Sequence, residues 1–139
     1  MFNFDVLIVK QNLNLTNCFF ALLLLAITGF KPLDVSDVKI NIITPAENAS
    51  VKMGDTVFIT GTVTSENALH DVSITVRTAD NLLTLYSENI HTHGNQLSIN
   101  KNYIQTIKYK TELVLEISTR DHSGNIIASA TRKFYSDKK

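Results

Sequence analysis

His91 and His93 stand two residues apart in Ile90-His91-Thr92-His93-Gly94-Asn95. On extended backbone such rings project from the same face, about 7 Å apart. Two more histidines, His70 and His122, each sit beside an aspartate, Asp71 and Asp121. Neutral imidazole is a common ligand for zinc and copper, and a carboxylate can complete a four-coordinate site. The chemistry these residue types offer is metal binding, with His91, His93, His70, His122 and Asp121 as candidate ligands for zinc or copper. The plainer reading is four unrelated loop histidines and a His-x-His pair arising by chance.

An oxygen-based site is a weaker expectation. Asp121, Asn125 and Asp71 offer too few carboxylates for the six to eight oxygens calcium prefers. The ordinary work of Asp121-His122-Ser123-Gly124-Asn125 is to make a turn, with Asp121 bonding backbone N–H groups and Gly124 taking positive φ. Nucleophilic catalysis has little to work with. The single cysteine, Cys18, lies in an apolar N-terminal stretch, and neither a Gly-x-Ser-x-Gly elbow nor a His-Glu-x-x-His pair occurs. Glycine-rich phosphate loops are missing as well. The expectation is a protein that is not an enzyme and needs no cofactor unless the histidines take zinc or copper.

The elements that must position these residues read as strands. Leu113, Leu115 and Ile117 alternate with Glu112, Glu116 and Ser118 before the turn at Asp121 to Asn125. Ile126, Ala128 and Ala130 alternate with Ile127, Ser129 and Thr131 after it, so Leu113 to Phe134 is a hairpin with one dry face. Earlier strands are expected at Val38–Thr44, Val57–Val63, Val72–Thr78, Leu82–Glu88 and around Leu97 and Ile99. Within Leu82–Glu88 the pattern admits either Leu83 and Leu85 inward or Tyr86 inward. Asn100–Lys110 reads as strand continuation or as a loop between sheets, and Ala46–Asp55 as a polar loop.

Five glycines, two prolines and strands at short intervals, with no amphipathic helix, point to an all-β fold. Specifically, they suggest a two-sheet antiparallel sandwich of about seven strands. Because antiparallel strands reverse at each connection, the loops at Ser65–Asp71, Ile90–Asn95 and Asp121–Asn125 should gather at one pole. That pole would hold every histidine of the chain.

The run Ile43 to Val63, I-T-P-A-E-N-A-S-V-K-M-G-D-T-V-F-I-T-G-T-V, has a Thr-Pro after the first strand, a Gly-Asp turn and a glycine in the second strand. This pattern resembles the opening of bacterial surface immunoglobulin-like domains, and the closing hairpin resembles that of immunoglobulin-like and cadherin-like sandwiches. Residues 38–135 carry the resemblance. It implies an exported module with a binding or structural role in the cell envelope or extracellular space. The alternative within the same fold is a metal-binding protein.

Thirteen Lys and Arg balance thirteen Asp and Glu, so no net field favours nucleic acid or an acidic membrane surface. Tyr86, Tyr103, Tyr109, Tyr135 and Phe58 are candidates for an aromatic patch that binds a protein or glycan partner. Cys18 to Phe30 is apolar and uncharged, shorter than the roughly 20 residues of a spanning helix. Residues 1–30 therefore read as an export signal or an uncleaved N-terminal membrane anchor, with the first helix of a cytosolic fold as the remaining alternative. Residues 31–37 read as a linker and 136–139 as a tail. Asn48-Ala49-Ser50 matches a glycosylation acceptor, which has meaning only in a host that glycosylates.

Overall fold

Eight strands and no helix make up residues 37–137, the part of the chain described by this computed structural model. The N-terminal signal or anchor, most of the expected linker and the last two residues lie outside the described residues. The strands are β1 (Lys39–Thr44), β2 (Ser50–Lys52), β3 (Thr56–Thr64), β4 (Asp71–Thr78), β5 (Thr84–His91), β6 (Gln96–Ile104), β7 (Thr111–Arg120) and β8 (Ile126–Asp137). One sheet has the order β1-β3-β6 and the other β2-β8-β7-β4-β5. All pairings are antiparallel except β2 with β8.

Period-two alternation explains which face each strand buries. Val57, Ile59 and Val63 of β3, Val72, Ile74 and Val76 of β4, and Leu113, Leu115 and Ile117 of β7 are buried, while their neighbours face outward. Phe134 of β8 is fully enclosed. These residues form one hydrophobic cluster fed by both sheets. Each such side chain taken from water contributes about 1.5–3 kcal/mol.

Polar contacts link the sheets at two places. Lys101 of β6 donates to Glu88 of β5 at 2.5 Å, beside the stacked rings of Tyr86 and Tyr103. Arg132 of β8 donates from Nη2 to the carbonyl of Ile42 in β1 at 2.8 Å, and its Nη1 lies 3.5 Å from Glu47. Near that second link β1 carries a bulge, since Ile42 pairs with Gly61 and Thr44 with Thr60. Thr44 Oγ1 accepts the Thr60 N–H at 3.0 Å there. Gly61 is needed because a Cβ at this position would run into the backbone carbonyl oxygen of Asn41.

Several boundaries differ from the sequence expectation. The polar segment Ala46–Asp55 contains β2, which pairs Ser50 with Tyr135 and Lys52 with Asp137. β5 runs on through Ile90 and His91, and β6 through Tyr103 to Ile104, before residues 105–110 cross to the other sheet. In β5 both Leu85 and Tyr86 pack against the core beside a register shift, with Tyr86 opposite Val76, and Leu83 is exposed. β8 continues past the expected end of the domain. Ser136 is buried and donates to the Ile107 carbonyl at 3.1 Å, so it belongs to the fold and not to a frayed tail.

Candidate functional site

The register of β4 with β5 sets Asp71 directly opposite His91, and the register of β4 with β7 sets the same aspartate opposite Arg120. His70 immediately precedes β4, and His93 lies just past the end of β5. Two backbone hydrogen bonds hold these flanks together. Thr92 N–H donates to the His70 carbonyl at 2.8 Å, and Leu69 N–H donates to the Gly94 carbonyl at 2.8 Å. Leu69 is buried, which anchors the segment that carries His70.

The Asp71 carboxylate joins two rings. Its Oδ2 lies 2.9 Å from His70 Nδ1, and its Oδ1 lies 2.8 Å from His91 Nδ1. An ionised carboxylate only accepts, so both rings present Nδ1–H to it. The bond from His91, and then that from His70, holds the Asp71 carboxyl below the usual carboxylate range. His91 Nε2 in turn lies 3.1 Å from His93 Nε2.

One ring nitrogen from each of His70, His91 and His93 lies within 4.8 Å of the others. The three ring planes cross at steep angles, 87° for His70 with His91, 89° for His91 with His93 and 74° for His70 with His93. His122, from the β7–β8 turn, lies against His70 with ring centroids 3.8 Å apart. The cluster is a surface feature: the side chain of His70 is 19% exposed, that of Asp71 41% and that of His91 54%.

All four sequence-singled histidines therefore meet at one pole, while Asp121 is engaged elsewhere. Its Oδ1 accepts from the Ser123 and Asn125 N–H groups at 2.9 and 2.8 Å, and its Oδ2 from the Asn125 side-chain amide at 3.1 Å. These bonds, the Asn125 side chain first, hold Asp121 below the usual carboxylate range. Gly124 has φ 82°, as the turn requires. The carboxylate that does touch the histidines is Asp71, which loop counting placed at this pole without a partner. Its signal lay in the cross-strand register, which a sequence pattern does not specify.

The tyrosines do not form one patch. Tyr103 is buried, Tyr86 packs against the core, and Tyr109 is exposed in the β6–β7 connection. Exposed apolar side chains on the three-stranded sheet are Ile43, Phe58 and Ile104. No family model and no curated protein matches the chain.

Proposed function

We propose that residues 38–137 are an immunoglobulin-like sandwich serving as a non-enzymatic exported module, with a binding or structural role in the cell envelope or extracellular space. The observation that carries this reading is the strand order, β1-β3-β6 against β2-β8-β7-β4-β5. Immunoglobulin-type sandwiches divide about 100 residues between a three-strand and a four-strand sheet, and without the short β2 the two sheets here have three and four strands. The short β2 then adds to β8 after β1 has paired in the other sheet. One apolar cluster drawing on both sheets supports the two-layer description.

The outward face of the three-stranded sheet supports a protein or glycan partner over nucleic acid. Thr60, Thr62, Asn100 and Asn102 offer hydroxyl and amide groups there, beside exposed Phe58 and Ile104. Among the described outward strand residues of that sheet, only Lys39 carries a charge. A phosphate backbone would call for several cations on one face.

Export rests on the apolar run Cys18–Phe30. The test is fractionation of the full chain and of a chain beginning at Lys31, both expressed in a bacterial host. The full chain should leave the cytoplasm and the shortened one should stay. Full-length protein that remains cytoplasmic and soluble overturns the reading.

A further inference from the structure

We propose that His70, His91 and His93 bind one divalent late first-row ion, zinc or copper, and that Asp71 is the residue that positions two of the three ligands. Each histidine contributes one ring nitrogen to a group spanning at most 4.8 Å. Asp71 occupies Nδ1 of both His70 and His91, so the nitrogen each ring has left for a metal is Nε2. A carboxylate behind the non-ligating nitrogen is the usual support of a metal-binding imidazole, because it fixes the tautomer and makes the free nitrogen a better donor.

The spacing fits as well. Zinc–nitrogen bonds of 2.0–2.1 Å in a tetrahedron put neighbouring ligand atoms roughly 3.3–3.4 Å apart. His91 Nε2 and His93 Nε2 are already 3.1 Å apart. The steep angles between the three planes let the rings approach one centre from different directions. Asp71 and the strand register keep His91 in place.

All three donors are neutral nitrogens, which favour zinc and copper and disfavour calcium and magnesium. Three protein ligands leave a fourth position facing solvent at this exposed pole, open to water. His122 lies over His70 from the β7–β8 turn and covers one side of the cluster. The pole thus combines ligands from the entry to β4, the end of β5 and the crossover from β5 to β6. A bound ion would tie the β4–β5 edge of the five-stranded sheet to the crossover that leads to β6.

The test uses the full chain without a histidine tag, purified in mild detergent, with Cys18→Ser so that no thiol takes metal. After stripping with a chelator, zinc and copper(II) are titrated separately by calorimetry, with calcium as a control. One zinc or copper per chain is expected, with no calcium uptake and a rise in the thermal midpoint on zinc addition. His91→Gln and His93→Gln should each abolish uptake, and the two sites guard against loss of folding in either variant.

Asp71→Asn should weaken zinc binding by roughly 10–100-fold in a protein that still folds without metal. Nitrogen NMR of the metal-free imidazoles should show Nδ1–H at His70 and His91 in the wild type and a mixture in Asp71→Asn. Uptake well below one ion per chain, or equal zinc affinity in wild type and in folded His91→Gln, overturns the proposal. Unchanged zinc affinity and tautomers in Asp71→Asn overturn its positioning role.

Discussion

The rings of Tyr86 on β5 and Tyr103 on β6 stack between the two sheets with centroids 5.9 Å apart. The Tyr86 hydroxyl donates to the Glu88 carboxylate, which also accepts from Lys101. Burial first, and then the Glu88 carboxylate, pushes the Tyr86 phenol up to about 12. Burial pushes Tyr103 up too. A phenol in the unfolded chain ionises near pH 10, so its folded form resists a charge that the unfolded form accepts. The neutral pair's contribution is therefore intact below about pH 10 and is lost as pH rises from there toward the folded value. Urea unfolding at increasing pH should show stability falling above about pH 10 in the wild type and falling less steeply in Tyr86→Phe. Parallel curves for the two proteins would contradict the assignment.

Asp121 makes the opposite prediction at the acid end. Its carboxyl is held low by the turn it organises, so the folded state gains from the ionised form. That gain is present above the ordinary aspartate value and disappears as pH falls through the lowered one. Asp121→Ala should melt below the wild type at neutral pH, and the gap should close once pH drops well under about 4. A gap that stays constant into acid would show that the carboxylate charge is not what the turn uses.

Phe134 and Phe58 offer a paired test of burial. Phe134 is fully enclosed in the shared core, whereas Phe58 is 56% exposed. Phe134→Ala should cost about 3–5 kcal/mol, a large share of the stability of a domain this size. Phe58→Ser should change stability by no more than about 0.5 kcal/mol. Denaturant midpoints of the two variants measure the contrast, and comparable losses would refute the described core.

Gly61 tests the bulge. Alanine would press its Cβ into the Asn41 carbonyl, a backbone atom held by the β1–β3 ladder. Relief requires moving β1, so Gly61→Ala should destabilise by about 1–3 kcal/mol. The same change at Gly94, where the nearest atom would be 3.5 Å away, should have a smaller effect. Chemical denaturation of both variants gives the comparison, and an unchanged Gly61→Ala midpoint would argue against the close approach.

Most of the strands were legible because their apolar residues alternate with polar ones, as in Val72-Ser73-Ile74-Thr75-Val76. The gathering of the four histidines was also legible, since it needs only the reversal of direction at each connection. β2 was not. Three residues are too few to show a period, and its partner lies far away in sequence, with Val51 pairing with Ser136. The end of β5 was hidden for a different reason, because Asn89 and His91 are polar residues on an outward face. The role of Asp71 depends on the register that sets it opposite His91, and alternation does not distinguish one register from another displaced by two residues.

The last strand among the described residues is an interior one. β8 is flanked by β2 on one side and β7 on the other, and it carries Phe134 into the core. During synthesis the earlier strands wait for it: until β8 has emerged, β2 has no partner and the edge of β7 is open. The five-stranded sheet therefore cannot be complete before β8 is present, and until then β7 offers an unpaired edge.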